Sequence, residues 1–386
     1  MRIGFDAKRL FCNYTGLGNY SRNTIAALRD KFPENDYVLF TPRAVANDIT
    51  RPFLDMEVHE PGAVLKGGLW RTFLLSRNLR QSGIELFHGL SHELPVGIHR
   101  SGVASVLTVH DVAFKTFPKM YHWHDRQIYD MKLRYACRHA DRIVAISQNT
   151  KNDVMRFYGV DEGKIDVVYQ PVQDIYYTPM SHDEAVSVCT EAVPGLPREF
   201  MLYVGSINSR KNLLGIVKAM THMPESMRLP LVIVGNGREY RKEVEDYITA
   251  HQMGKRFIWL SQLKDNRHLQ ALYTLASVFI YPSFYEGFGL PVVEAMLSGC
   301  PVVTSQVSSL PEAGGDAALL VNPQRDEEIA EAVCQVLSWS QEERLKTVQE
   351  GRDYAVRMFH PSVMAERLMR VYQQTLAQSA IAQTKR

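Results

Sequence analysis

Cysteine is scarce in this chain of 386 residues: Cys12, Cys137, Cys189, Cys300 and Cys334 are scattered, odd in number and never form a C-x-x-C pair. That argues against a disulfide framework or a zinc site and favours reduced thiols in a cytosolic compartment. Long apolar runs are missing as well. No stretch approaches the roughly 18 apolar residues of a spanning helix, and the opening "MRIGFDAKRLF" lacks a signal-peptide core. A cytoplasmic protein, with peripheral contact at the cytoplasmic membrane as the other option, is the expectation. Neither charge sign dominates: 44 Lys plus Arg against 42 Asp plus Glu leave a formal +2, so nothing marks a dedicated nucleic-acid surface. Short repeats, low-complexity tracts and long charge runs are also absent.

What is present is a rhythm. A chain of this length exceeds what one hydrophobic core usually organises, so two domains are expected. Apolar runs of strand length alternate with longer amphipathic segments, the pattern of parallel sheets covered by helices. The first half offers "MRIGFDA", "DYVLFTP", "ELFHGL", "VASVLTVHD", "RIVAIS" and "IDVVYQP"; the second offers "FMLYVGS", "LPLVIVG", "RFIWLS", "SVFIYPS", "CPVVTS" and "AALLVN". Between them lies a proline-bearing stretch that reads as a connector. The expected fold is α/β: two doubly wound domains over 1–175 and 199–360, a linker over 176–198, and a final helix over 361–386.

One segment raises a chemical question. In "YPSFYEGFGLPVVEAMLSG", Pro291 suits the first position of a helix and Gly299 its end, which places Glu294 in the first turn and Glu286 in the preceding loop. Strand-to-helix loops of α/β sheets bind ligands, helix amides there favour an anion, and glycines admit close backbone approach. Acceptor-only carboxylates on either side suit hydroxyl-rich ligands. Taken singly, each glutamate reads more simply as a solvated loop charge or a dipole-stabilising residue.

Other candidates sit at similar places. "SRKNL" puts Arg210 and Lys211 before a helix, where cations oppose the dipole unless an anion binds. "TGLGNYSRN" sets Gly16 and Gly18 at a helix start, a weak phosphate or sugar signal by itself. His110 and Asp111 end the strand in "VLTVHDVAF".

Five stretches in order, "GLGNY", "TVHDVAF", "ADRIVAISQNTKNDV", "YVGSINSRKNL" and "FYEGFGLPVVEAMLSGCPVVTS" with "SSLPEAGGDAALLVNP" behind it, resemble the large retaining glycosyltransferase family 4. The resemblance implies the GT-B fold, two facing Rossmann-like domains with the active site in the cleft between them. It implies transfer of a sugar from a nucleotide diphosphate to an acceptor hydroxyl, with no cofactor and no metal; the chain has no Asp-x-Asp pair. Glu294 would bind the donor ribose and Glu286 the sugar hydroxyls, with amides of Gly287, Phe288, Gly289 and Leu290 along sugar and phosphate. Lys211 and Arg210 would neutralise the diphosphate. Ser206 stands where many members carry arginine, which raises the weight on Arg210. Gly16 and Gly18 would close over the donor, and His110 would lie near the anomeric carbon, its ring oriented by Asp111. The base would rest against the backbone of Ser261 to Leu263. The variants "VHDVAF" and "RKNL" look most like bacterial mannosyltransferases of surface-polysaccharide and lipopolysaccharide synthesis, which makes GDP-mannose the first choice, a UDP-hexose the second, and a sugar-nucleotide epimerase of the same fold the third. Front-face attack is preferred to a covalent intermediate.

For the acceptor, a glycan or lipid-linked oligosaccharide, "LKGGLWRTFLLSRNLRQ" mixes Lys66, Arg71, Arg77 and Arg80 with Leu69, Trp70, Phe73, Leu74 and Leu75. Such a segment suits an anionic membrane surface; equally, it reads as a helix with a buried apolar face. The aromatic and basic "KMYHWHDRQIYDMKLRYACRH" has the same two readings, as an acceptor groove or as core packing.

Overall fold

The structure is a computed structural model describing residues 1–62, 67–261, 263 and 265–384, so Lys66, Gln262 and Lys264 lie outside the described residues. The chain forms two compact units: Met1–Pro171 together with the chain from Phe359 onward, and Val172–Met358.

In the first unit, β1 (Arg2–Asp6), β2 (Asp36–Phe40), β3 (Glu57–His59), β4 (Leu86–Gly89), β5 (Ala104–Val109), β6 (Arg142–Ala145) and β7 (Ile165–Val167) form a seven-stranded sheet in the order β3-β2-β1-β4-β5-β6-β7. Every pairing is parallel. In the second unit, β8 (Met201–Val204), β9 (Leu231–Val234), β10 (Phe257–Leu260), β11 (Val278–Tyr281), β12 (Val302–Ser305) and β13 (Leu319–Val321) form a parallel sheet ordered β10-β9-β8-β11-β12-β13. Strands covered on both faces need apolar side chains at successive positions, and β8, β9 and β11 are buried throughout.

Two elements differ from the sequence expectation. Strand β3 is a short, largely polar edge strand whose pairing with β2 defines it. The stretch 176–198 is not a bare connector, because it contains the helix His182–Ala192. Ser181 caps that helix by accepting from the Glu184 amide, the first half of a capping box. Buried Gln270, on the helix Asn266–Leu275, donates to the carbonyls of Ile175 (3.0 Å) and Thr178 (2.8 Å) and fastens the stretch to the second unit.

The helix Pro361–Thr384 packs on the helix Gly16–Lys31 of the first unit. Fully buried Tyr372 brings its hydroxyl 2.6 Å from His88 Nδ1, His88 Nε2 lies 2.8 Å from Thr108 Oγ1, and Thr108 Oγ1 lies 3.1 Å from the Tyr20 hydroxyl. Burial pushes the His88 imidazole down to about 3, so it sits in this ladder as a neutral ring.

Candidate active site

Strand order in the second sheet reverses between β8 and β11. The chain leaves β8 toward β9 and leaves β11 toward β12, so the loops at their carboxyl ends diverge and open a crevice. Arg210 and Lys211 follow β8; Glu286 follows β11. Glu286, 8% exposed, lies 2.9 Å from Lys211 Nζ and 3.0 Å from Arg210 Nη1. The Tyr281 hydroxyl, at the end of β11, donates to Glu286 Oε1 at 3.0 Å and also meets Lys211 Nζ, which sits 4.8 Å from the centroid of the same ring. Burial alone would raise the Glu286 carboxyl, but Lys211 and then Arg210 outweigh it and hold the group at about 2. For Lys211 burial wins, lowering its pKa against the pull of Glu286. Two cations share one carboxylate, leaving the cluster net positive.

The scaffold around the cluster is heavily hydrogen-bonded. Asn212, left-handed at φ 56°, donates to the carbonyls of Pro282 (3.2 Å) and Pro323 (2.7 Å) and accepts from the Gly215 amide (3.2 Å), tying the β8 loop to the β11 loop. Ser308 and Ser309 donate to the Glu286 carbonyl at 2.7 and 2.8 Å, and Ser309 also reaches the Phe288 carbonyl at 2.8 Å. The Phe288 side chain is core, 2% exposed, so only its backbone is available to a ligand. At Gly289, with φ 117°, a Cβ would come within 2.8 Å of Leu310, so the turn requires glycine.

The next helix begins at Leu290, one residue earlier than expected, so Pro291 is its second residue and Glu294 lies in the second turn. A first-turn dipole role for Glu294 is thereby excluded. Its carboxylate accepts from the Tyr273 hydroxyl at 3.3 Å, and although part of the side chain stays open to solvent, burial pushes the carboxyl up to about 7. Because the folded state holds this proton more tightly than the unfolded chain, the protonated group stabilises the fold fully at pH below the ordinary glutamate value. That contribution fades as pH rises through about 7. Glu294→Gln should therefore gain in Tm relative to the native protein between pH 5 and 8, read by thermal melts across that range; a constant difference would contradict the buried carboxyl.

Ser206 lies exposed in the β8 loop, its hydroxyl accepting from Asn208 at 3.0 Å. Leu263 follows the edge strand β10, two strands from β8. The second unit thus gathers Arg210, Lys211, Glu286 and the 287–290 turn into one cluster, with Glu294 on the helix behind it and Leu263 further along the sheet. Tyr281, Tyr273, Asn212, Ser308 and Ser309 support it and were not singled out by sequence; only "RKN" and "SSLPE" hinted at the last three.

Gly16, Gly18 and His110 belong to the first unit. A Cβ on Gly18 would fall 1.7 Å from the Asn13 carbonyl oxygen, and its amide already donates to Asn13 Oδ1 at 3.0 Å, so Gly18 is required by packing. Gly16 has nothing within 4 Å of a Cβ position and stays open. His110 is buried, its Nε2 2.8 Å from the Leu90 carbonyl and its ring edge-on to Tyr20 at 4.5 Å. Leu90 therefore orients the ring, while Asp111 accepts from the Ala113 amide at 3.0 Å. Burial, then neighbouring His92, push the His110 imidazole down to about 3, so it can hydrogen-bond but not act as an acid near neutrality.

Of the basic acceptor segment, Trp70, Leu75 and Arg71 are buried, and Arg71 is a paired core cation, its Nε 2.9 and 3.0 Å from the Asp6 carboxylate and its Nη1 on Glu93. Leu69, Phe73 and Leu74 are exposed. Phe73, Leu94 and Met131 border a mostly apolar cavity of about 300 Å³ whose polar side carries Arg71, Glu93 and Lys132.

Two parallel doubly wound sheets of this order, one bearing paired cations and a carboxylate at its reversal point, are the GT-B architecture of glycosyltransferases. The chain belongs to glycosyltransferase family 4: residues 14–174 match the model described as Glycosyltransferase Family 4, and residues 190–354 match Glycosyl transferases group 1. It is a hexosyltransferase. The O-antigen chain mannosyltransferase B of Escherichia coli is 32% identical over 70% of either chain. The O-antigen chain mannosyltransferase RfbU of Salmonella typhimurium is 25% identical over 56% of each. Anabaena HepE, solved with UDP, shares the fold at a TM-score of 0.74 and 16% identity, over 97% of this chain and 99% of that one. Sucrose-phosphate synthase from Thermosynechococcus elongatus does so at 0.73 and 20%, over 98% and 100%.

Proposed function

We propose that this enzyme transfers mannose from GDP-mannose, with retention at the anomeric carbon, to a hydroxyl of a glycan or lipid-linked oligosaccharide. The observation that carries the reading is the net positive Lys211–Glu286–Arg210 cluster at the reversal point of the second sheet. As the glycosidic bond breaks, charge gathers on the leaving diphosphate, where Lys211 and Arg210 oppose it. Glu286 accepts from the sugar hydroxyls, Glu294 from the ribose, and amides of the 287–290 turn line the phosphates. In the first unit, Gly16 and His110 are the sugar contacts of this reading. Glu286 is already engaged by Lys211 at 2.9 Å and Arg210 at 3.0 Å, which supports front-face attack over its use as a nucleophile. The two side-chain cations take the part that a divalent metal would otherwise play, which supports metal-independent transfer. Similarity to O-antigen mannosyltransferases supports the donor sugar and the polysaccharide acceptor. No described helix is long and apolar enough to cross a membrane, and exposed Leu69, Phe73 and Leu74 beside Arg77 and Arg80 support peripheral contact with an anionic bilayer.

The test is calorimetric titration with GDP, UDP and ADP, followed by nucleotide release from the matching sugar donors with a glycan acceptor, in EDTA and with added divalent ions. GDP binding with turnover of GDP-mannose in EDTA is the expected result. Preference for UDP would move the donor to a UDP-hexose, dependence on the ions would overturn the metal-free reading, and no binding of any nucleotide would overturn the site.

A further inference from the structure

His92 is one of four residues other than glycine with positive φ among the described residues, and its ring lies beside His110. It follows β4, and in the first sheet the strand order reverses between β1 and β4. The loop after β1, which leads to Gly16, and the loop after β4, which carries His92, therefore diverge at the carboxyl edge, with β5 delivering His110 next to them. At φ 61° the His92 backbone is left-handed, a conformation that side chains larger than asparagine adopt at a cost. Its amide, donating to the Thr108 carbonyl at 3.0 Å, pins it there.

The ring partners determine where the protons are. His92 Nε2 accepts from the His110 amide at 2.7 Å and lies 3.4 Å from the Asp111 amide. A nitrogen that accepts from an amide carries no proton, so the ring's proton resides on Nδ1, and burial disfavours the charged form. In His110 the pattern is reversed. Nε2 faces the Leu90 carbonyl, which can only accept, so that nitrogen bears the proton and Nδ1 is an acceptor. The two rings stand edge to face, 5.3 Å apart. Among the described residues neither Nδ1 has a hydrogen-bond partner. One imidazole thus offers a donor and its neighbour an acceptor, a pair that matches the hydroxyls of a sugar, each of which can do both.

We propose that His92 is a second sugar-binding imidazole of the first unit, donating from Nδ1 to an oxygen of a bound sugar while His110 accepts from another. The proposal rests on the glycosyl-transfer reading above. Bracing the His110 amide is the competing account, and it makes no use of the second nitrogen.

Two variants separate the accounts. His92→Gln keeps an acceptor at the reach of Nε2 and has no donor at the Nδ1 position. His92→Asn keeps a donor near Nδ1 and tolerates the left-handed backbone, but is too short to brace the His110 amide. Steady-state kinetics with the sugar donor, thermal melts of both variants and calorimetry with GDP are measured together. Expected is a drop of about tenfold in kcat/KM for His92→Gln, larger than the drop for His92→Asn, with GDP affinity within about twofold of the native enzyme. The reverse order, His92→Asn more impaired than His92→Gln, would overturn the proposal in favour of a brace. A native enzyme that binds neither GDP nor any other nucleoside diphosphate would instead fail the glycosyl-transfer reading, and take this proposal with it.

Discussion

Replacing Lys211 by alanine lowers kcat by about 10²- to 10³-fold, while the KM for the sugar donor changes far less. The ammonium sits 2.9 Å from Glu286 in a site that excludes most solvent, where a preorganised cation acts most strongly on charge that grows only as the bond breaks. Arg210, 3.0 Å from the same carboxylate, remains in the variant, so Glu286 keeps a partner and the fold survives. Steady-state kinetics with saturating acceptor give the result, and thermal melts check that the variant is folded. A kcat within about twofold of the native value would remove Lys211 from the chemistry.

Glu286→Ala should have the largest effect on stability. Removing one member of a buried ion cluster leaves its partners uncompensated, a loss of about 3–5 kcal/mol. For a unit of this size that corresponds to a fall in Tm of roughly 10 °C. Inorganic pyrophosphate should then raise the Tm of the variant more than that of the native protein, because in the variant the positive charge of Lys211 and Arg210 is no longer neutralised by the carboxylate. Differential scanning calorimetry with and without pyrophosphate reads both effects. An unchanged Tm would show that the cluster is solvated well enough to lose its carboxylate without cost.

Much of the fold was legible because parallel strands advertise themselves. "FMLYVGS", "LPLVIVG" and "SVFIYPS" are continuous apolar runs stopped by glycine or serine, and they are β8, β9 and β11. Strand β3 was not, since Glu57–His59 carries little apolar signal and becomes a strand only by lying against β2. In the supposed connector, Ser181 and Glu184 did announce a helix, but the flanking prolines drew the reading toward irregular chain. At the site, Glu286, Arg210 and Lys211 were found from local pattern, and the structure adds that they touch. Glu294 lies one position further into its helix than expected because the helix begins at Leu290, and its buried environment depends on Tyr273, 21 positions away. Asn212, Ser308 and His92 act through partners that only folding brings near. No local pattern encodes such a meeting.

The ladder from Tyr372 through His88 and Thr108 to Tyr20 has a consequence for biosynthesis. A ribosome delivers Met1–Pro171 ahead of the second unit, yet the hydroxyl that completes this buried chain arrives only after the whole of that intervening unit, 284 positions beyond His88. Until then the helix Gly16–Lys31 lacks the helix Pro361–Thr384 that packs on it, and His88 Nδ1 lacks the Tyr372 hydroxyl. The second unit, contiguous in sequence, can mature while the nascent chain is still growing, whereas the unit whose larger part is made before it is completed after it. Order of synthesis and order of completion run in opposite directions in this enzyme.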